Sequence, residues 1–88
     1  MEIQYDIAKN TANIRKHKIS SADCEGVFYD PMAITIEDRD QDEFRQVTLG
    51  MDSFSRLLVV CWTECGTDCI RIISARRADP SERKAYEG

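Results

Sequence analysis

The stretch from Ile70 to Arg77 restricts the fold more than any other part of the sequence. It begins as an apolar segment of strand length and ends in two adjacent arginines. Asp79, Pro80 and Glu82 then occupy the positions of a helix N-cap, a first helical residue and a capping-box partner, so a helix begins directly after the strand. A helix N-terminus carries unpaired N–H groups and partial positive charge, so the two arginines beside it predict an anion site. The alternative is that both arginines are solvated loop residues.

The remainder of the chain indicates a small α+β domain. Asp6 is a good N-cap for a helix over residues 7–17, and the next pair of serines opens a second short helix. An acidic stretch at 37–43 is expected to be a loop or hairpin tip. Strand-like segments lie at residues 32–36, 44–49, 56–63 and 69–75. We therefore expect a single domain over residues 1–88, with two N-terminal helices, a four-stranded antiparallel sheet and a C-terminal helix.

Composition and charge indicate a soluble globular protein. At 42% hydrophobic and 32% charged residues, the chain is neither disordered nor membranous in composition. Because it has no apolar run of membrane-spanning length and no secretory signal, we expect a cytoplasmic protein without a membrane partner. A net charge of −4 is mild evidence against nucleic-acid binding. The charge is uneven, however, because acidic residues crowd positions 37–43 while basic residues lie on the first helix and near the C-terminus.

The cysteines do not form a familiar metal motif. Three of the four, Cys61, Cys65 and Cys69, have a C-x3-C-x3-C spacing, which differs from the C-x2-C pairs of zinc sites. Without a secretory signal, reduced thiols are expected rather than disulfides, and metal binding is the alternative. The single histidine, His17, excludes a two-histidine metal site. The sequence therefore predicts neither a metal nor a cofactor.

The turn between the last two strands decides which side chains share a face of the sheet. A two-residue turn at 65–66 would pair Glu64 with Thr67. A three-residue turn would instead oppose Glu64 to an aspartate, a like-charge pair that destabilises the hairpin. We therefore predict the two-residue turn, which places Glu64, Arg71 and Trp62 on one face.

A polar set of side chains is suited to RNA cleavage. That reaction needs a base for the ribose 2′-hydroxyl, an acid for the leaving 5′-oxygen and cations for the phosphorane charge, and it needs no metal. The predicted catalytic residues are His17, Glu64, Arg71, Arg76 and Arg77, and the predicted substrate-binding residues are Lys16, Arg45 and Trp62. Structural roles are the alternatives. The imidazole suits a helix C-terminus, the carboxylate can be a solvated strand end, and a tryptophan is more often a core residue than a stacking platform.

Several motifs follow one another along nearly the whole chain: Tyr5-Asp6, Lys9-Asn10, Asn13-Ile14-Arg15-Lys16-His17, Val27-Phe28, Asp30-Pro31, Val47-Thr48-Leu49-Gly50, Leu57-Leu58-Val59-Val60, Thr63-Glu64, Arg71-Ile72-Ile73-Ser74-Ala75-Arg76-Arg77, Glu82-Arg83 and Tyr86-Glu87. Together they resemble the BrnT family, the toxins of a group of type II toxin–antitoxin modules. The arginine-rich strand motif and the N-x-R-K-H motif are the most specific of them.

The resemblance implies a RelE-like fold and a metal-independent ribonuclease that arrests translation. It also implies neutralisation by a BrnA-like antitoxin, a toxin–antitoxin heterotetramer, and repression of the module's own promoter, with operator DNA bound only through the antitoxin. It carries the functional roles onto Lys16, His17, Arg45, Glu64, Arg71, Arg76 and Arg77. On this interpretation, Glu64→Ala and Arg77→Ala should each reduce toxicity.

Some positions depart from the family pattern. Tyr5 stands where tryptophan is usual, Lys18 stands where glycine is usual, and the turn after Glu64 contains cysteines that members usually lack. The acidic stretch at 37–43 also makes the chain more acidic than typical members. The alternative function is therefore a non-catalytic interaction or corepressor module, a degenerate toxin that acts only with its antitoxin.

Overall fold

The computed structural model describes the backbone of residues 1–40 and 43–88, and the side chains of residues 1–38 and 44–88. In chain order the elements are β1 (Glu2–Tyr5), α1 (Ile7–His17), two 3-10 helices (Ser21–Asp23 and Glu25–Tyr29), β2 (Ile34–Asp40), β3 (Glu43–Met51), β4 (Leu57–Glu64), β5 (Cys69–Arg77) and α2 (Pro80–Glu87). The strands form one sheet in the order β1-β5-β4-β3-β2. Within the described ranges, no helix has the length and apolar character needed to span a membrane.

The α+β class, the first helix and the C-terminal helix are confirmed, but the sheet is larger than predicted. It has five strands and is mixed, because β1 pairs in parallel with β5. A four-residue edge strand has too little periodicity to be recognised in the sequence. Residues 37–40 and Glu43, which were predicted to lie in an acidic loop, belong to strands instead. Residues 41 and 42, the rest of that predicted loop, lie outside the described part of the chain.

The predicted second helix is replaced by two 3-10 helices. The N–H of Cys24 donates to the carbonyl of Ser21, and the N–H of Val27 donates to the carbonyl of Cys24. Cys24 and Val27 are both fully buried. Side chains three residues apart lie on the same side of a 3-10 helix, so this geometry lets both point into the core from a short segment.

The two faces of the sheet have different neighbours. We define the core face as the one carrying Leu58, Val60 and Trp62 of β4, and the outer face as the one carrying Val59 and Thr63. The core face packs against the segment between α1 and β2, and the resulting cluster consists of Ile19, Cys24, Val27, Leu58, Val60, Ile70, Ile72 and Ala75, with Ile3, Tyr5, Phe28 and Trp62 beside it. Burial of this apolar surface is the main stabilising contribution to the fold.

A β-bulge in β5 changes which residues face the core. Trp62 lies opposite Ile72, but the preceding residue of β4 lies opposite Ser74, so Ile73 is the additional residue. Before the bulge the even-numbered residues of β5 point to the core, and after it Ala75 does. Arg71 and Ser74 are therefore both on the outer face, which strict alternation could not allow.

The side chain of Asn13 attaches α1 to β5. Its Nδ2 donates to the carbonyl oxygens of Ile19, at 2.8 Å, and Ala75, at 2.9 Å, while its Oδ1 accepts the N–H of Ala75 at 3.2 Å. The amide thus satisfies the backbone of β5 beyond the point where β1 ends. This contact holds the last turn of α1, with Lys16 and His17, beside the bulge.

The C-terminus of α1 has a backbone conformation that favours glycine. Lys18 is the C-cap in the left-handed region, with φ 64° and ψ 26°, and its N–H donates to the carbonyl of Ile14 at 2.8 Å. A residue with a Cβ is strained in this conformation, which glycine adopts freely.

We predict that Lys18→Gly stabilises the protein by about 0.5–1 kcal/mol, because relief of the left-handed strain exceeds the added entropy of the unfolded chain. Urea denaturation of the two proteins measures this difference. Arg15→Gly is the matched control, since the same residue in the helix interior should destabilise by about 1 kcal/mol. A loss of stability in Lys18→Gly would contradict the proposed strain.

Polar contacts, rather than buried side chains, hold α2 in place. None of the residues of α2, all of which are described, is buried. Its Tyr86 hydroxyl donates to Asp30 Oδ2 at 2.6 Å, and that carboxylate also accepts the N–H groups of Met32 and Met51. The hydrogen bond from Tyr86, followed by that from Met51, lowers the pKa of Asp30. One carboxylate therefore connects α2 to the turn before β2 and to the end of β3.

We predict that Tyr86→Phe lowers the melting temperature at pH 7 and that the difference shrinks in acid. Because the pKa of Asp30 is lowered by folding, its stabilising effect is complete above the unfolded-state pKa of about 4 and disappears as the pH falls through the folded-state pKa. Thermal melts at pH 7, 5 and 3 measure the trend. Tyr29→Phe is the control, since the Tyr29 hydroxyl contacts only the exposed Glu25 carboxylate at 3.4 Å. A gap that does not change with pH would contradict the role of Asp30.

Candidate functional site

The turn between β4 and β5 differs from the predicted one, and the difference separates two predicted catalytic residues. Cys65 and Cys69 face each other, with a backbone hydrogen bond of 3.1 Å and a disulfide between them. Glu64 consequently lies opposite Ile70, and Arg71 lies opposite the neighbouring residue of β4. The predicted two-residue turn and the shared face of Glu64 and Arg71 are both wrong. So is the expected absence of disulfides, whereas Cys24 and Cys61 take no part in a disulfide.

Loop residues with positive φ make this longer turn possible. Gly66 has φ 104° and Asp68 has φ 53°, both in the region that glycine and aspartate tolerate better than most residues. The disulfide between Cys65 and Cys69 closes this loop. The longer loop shifts the pairing register of β4 and β5 relative to the register that a two-residue turn would give. With the alternation of a strand, that shift sends Arg71 to the outer face while Glu64 stays on the core face, at the exposed end of β4.

Trp62 is half-buried and packs against the edge of the core. Its ring meets that of Phe28 edge to face, at 5.3 Å between centroids and 87° between planes. Its Nε1 donates to Thr48 Oγ1 at 2.8 Å. Its apolar and its polar part therefore both make contacts within the domain. The half-buried ring also lines, together with Glu64, a cleft of about 240 Å³ on the core face, so the contact with a base stays a prediction.

The positive end of α2 is neutralised by the chain's own carboxylates. The predicted capping box is confirmed: Asp79 accepts the N–H of Glu82, and Glu82 accepts the N–H of Asp79. Arg76 donates to both oxygens of Glu82 at 2.8 Å. These hydrogen bonds raise the pKa of Arg76 and lower the pKa of Glu82. The anion site predicted there is not formed, because internal groups already satisfy the helix N-terminus.

Arg76 and Arg77 project to different sides of the sheet. Arg76 lies opposite Val59 and so belongs to the outer face, whereas Arg77 lies opposite Leu58. Arg77 is exposed, and its carbonyl accepts a hydrogen bond from Arg76 Nη1 at 3.2 Å. Adjacent residues of a strand point in opposite directions, so the two guanidiniums do not act as a pair.

A cleft between α1 and β5 collects basic side chains. Its volume is about 280 Å³, and its lining residues are Lys9, Ala12, Asn13, Lys16, His17, Ile73 and Ser74. The α1 members are spaced at i, i+3, i+4, i+7 and i+8, which places them along one side of the helix. The predicted pair Lys16 and His17 therefore lies directly against the bulge in β5.

A second cleft adjoins the first on the outer face. It has a volume of about 260 Å³ and is lined by Phe44, Arg45, Thr63 and Ile73, so Ile73 separates the two clefts. Arg71 lies opposite Thr63 on the neighbouring strand, beside this second cleft. Its guanidinium donates to Gln4 at 3.4 Å. We define the cationic face as this part of the outer face, with Lys9, Lys16, His17, Arg45 and Arg71.

The cationic face brings together four of the eight predicted site residues, namely Lys16, His17, Arg45 and Arg71. Glu64 and Trp62 lie on the opposite side of the sheet, and Arg76 is occupied by Glu82. Sequence reasoning missed Ser74, because without the bulge its side chain would point into the core. Lys9 was recognisable as basic, and its spacing of seven residues from Lys16 is the signal that would have assigned it to this face.

The donor groups of the described residues do not suggest a metal site. Among them, no three or more His, Cys, Asp or Glu side chains lie close enough to hold a metal ion together. Two of the cysteines considered for metal binding in the sequence are joined to each other. The chemistry that the cationic face offers is anion binding by ammonium and guanidinium groups, with the imidazole of His17 as a group that can accept or donate a proton.

Comparisons with known proteins agree with the sequence motifs. Residues 5–82 match the family model described as the ribonuclease toxin, BrnT, of type II toxin–antitoxin systems. The fold resembles the 1.1 Å crystal structure of the Brucella abortus ribonuclease toxin BrnT, with a TM-score of 0.68, 23% sequence identity, and coverage of 90% of this chain and 97% of that one. No curated protein matches the sequence significantly. Because the family model spans most of its length, this chain belongs to the BrnT family of ribonuclease toxins.

Proposed function

We propose that this chain is a ribonuclease toxin that binds and cleaves RNA on the cationic face without a metal ion. The observation that supports this proposal is that Lys16 and His17 line the cleft at the bulge residue Ile73, while Arg71, two residues earlier in β5, lies on the same face of the sheet. Ammonium and guanidinium groups spaced along one face of the domain can bind consecutive phosphates of a single-stranded RNA. Family membership supplies the reaction class, and the face supplies groups that can perform it.

In the proposed reaction, the ribose 2′-oxygen attacks the neighbouring phosphorus and the bond to the 5′-oxygen breaks. His17 accepts the proton of the 2′-hydroxyl, and the leaving oxygen takes a proton from solvent. Arg71 and Lys16 hold the non-bridging oxygens, whose negative charge increases in the transition state. Arg45 contacts an adjacent phosphate. Glu64, Arg76 and Arg77 have no role in this scheme, because they lie on the other side of the sheet or are engaged by internal partners.

The wider biology follows from the type II family and forms part of the proposal. RNA cleavage would arrest translation in the cytoplasm. A BrnA-like antitoxin would neutralise the toxin in a heterotetramer and would bind operator DNA, through which the pair represses its own promoter. The alternative, a non-catalytic corepressor, is favoured by the net charge of −4, which weakens long-range attraction to RNA.

We predict that purified toxin, freed of its antitoxin, cleaves single-stranded RNA in the presence of EDTA. His17→Gln should reduce the rate by about 100-fold or more, as expected for loss of a proton-transfer group. Arg71→Ala should reduce it by about 10- to 100-fold through loss of charge stabilisation. Rates from gel-resolved cleavage of a labelled RNA measure both, with melting temperatures to verify folding.

Glu64→Gln and Arg77→Ala are the controls. Each removes the charge of a residue that the sequence predicted to be catalytic but that lies off the cationic face. Each should retain activity within about twofold of the unchanged protein. Full activity in His17→Gln together with loss in Glu64→Gln would refute the proposed site. Cleavage only after Mg²⁺ is added would refute metal independence, and no cleavage under either condition would support the corepressor alternative.

A further inference from the structure

The outer face has a second region, an apolar groove beside α2. Its volume is about 180 Å³, and it is lined by Ile34, Ile36, Val47, Leu49 and Val59 of the sheet and by Glu82 and Ala85 of α2. Ile36 is 61% exposed and Ile34 is 41% exposed, although both belong to a regular strand. We call this region the apolar groove.

The groove remains open because α2 covers little of the sheet. No residue of α2 is buried, and its recorded attachments are the Arg76–Glu82 ion pair and the Tyr86–Asp30 hydrogen bond. The groove also extends onto β2, which is the edge strand of the sheet. An edge strand has one side whose backbone groups are not paired with another strand of the sheet. Exposed isoleucines on an edge strand favour aggregation unless another molecule covers them. Their arrangement beside three further apolar side chains indicates a protein-binding surface.

Strand register makes the apolar groove continuous with the cationic face. Ile34 pairs with Leu49 and Ile36 pairs with Val47, and the next pair on the same side is Asp38 with Arg45. Successive side chains on one side of a strand are about 7 Å apart. A bound segment of only a few residues therefore reaches from the last isoleucine to the first arginine.

Charge complementarity identifies the chemistry of the occupant. A segment that fills the groove with apolar side chains next meets Arg45, which lies opposite Asp38, and beyond that pair Arg71 and Lys16. Because the basic side chains here outnumber this one carboxylate, the continuation of the segment should be acidic. A second copy of this chain is a poor fit, because a symmetric contact through this surface would bring two cationic faces together. A type II toxin, by contrast, has an antitoxin as its protein partner.

We propose that the antitoxin docks on the outer face with an apolar stretch in the apolar groove and an adjoining acidic stretch over the cationic face. This proposal rests on the proposed function only in taking the cationic face as the RNA site. One bound segment would bury the exposed isoleucines, neutralise the basic side chains and exclude RNA. The groove supplies apolar contact area, and the cationic face supplies electrostatic attraction.

The experiment compares Ile36→Glu with Ile7→Glu. Both remove an exposed isoleucine and add the same charge, but Ile7, which is 78% exposed, is on α1 and away from the groove. Each variant is purified, mixed with the separately purified cognate antitoxin, and its dissociation constant is measured by titration. Ile36→Glu should bind at least 100-fold more weakly, and Ile7→Glu should bind within about twofold of the unchanged toxin.

A second comparison separates the two halves of the surface. Arg45→Glu should also weaken antitoxin binding by at least tenfold, and most of the loss should disappear at high salt, whereas the loss in Ile36→Glu should persist. RNA cleavage by free Ile36→Glu should remain within about twofold of the unchanged toxin. If free toxin does not cleave RNA but Ile36→Glu still loses the antitoxin, the docking proposal stands and the ribonuclease proposal fails.

Two results would overturn the docking proposal. One is equal antitoxin affinity for Ile36→Glu and Ile7→Glu. The other is a toxin dimer, detected by light scattering without antitoxin, that Ile36→Glu converts to a monomer, because the groove would then be the contact between two copies of this chain.

Discussion

The pairing of β5 with its neighbours determines which side chains can act together in this protein. Ile72 and Ser74 pair with consecutive residues of β4, so Ile73 is an additional residue in β5. Its insertion reverses which side chains of the second half of β5 point to the core. Apolar residues can then face the core on both sides of the bulge while Arg71 and Ser74 share the outer face. Asn13 bonds the strand just past this point, so α1 brings Lys16 and His17 to the same place. The cationic face depends on these two local features.

Internal pairing decides which of the basic residues are available for a ligand. Arg76 and the start of α2 have the composition of a phosphate site, but Glu82 lies close enough to occupy both. An intramolecular carboxylate needs no loss of translational freedom to bind, so it competes effectively with a dissolved anion. Arg71, in contrast, donates to the neutral amide of Gln4 at 3.4 Å. Whether a basic residue stabilises the fold or can bind a ligand thus depends on which acidic side chains the fold places beside it.

The outer face combines two surfaces that sequence analysis would treat separately. Its apolar part lies on β2, β3 and β4, and its cationic part lies on β3, β5 and α1, in adjoining rows of side chains. A small domain has limited surface that is not used to build its core, and this one has a single sheet side left for recognition. Because so little surface is available, residues for an RNA substrate and residues for a protein partner can lie next to each other. Their closeness also explains how one bound segment could affect both.

The sequence alone determined the α+β class, the limits of α1, the start and capping box of α2, and the family, because these depend on local periodicity, caps and motifs. It did not reveal the five-stranded sheet, since parallel pairing of β1 joins residues nearly seventy positions apart and has no local signal. The faces of Glu64 and Arg71 were decided by the turn from Cys65 to Cys69 and by the bulge at Ile73. A shift of one residue reverses every side chain of a strand, and only the folded contacts on both sides of the sheet select one register.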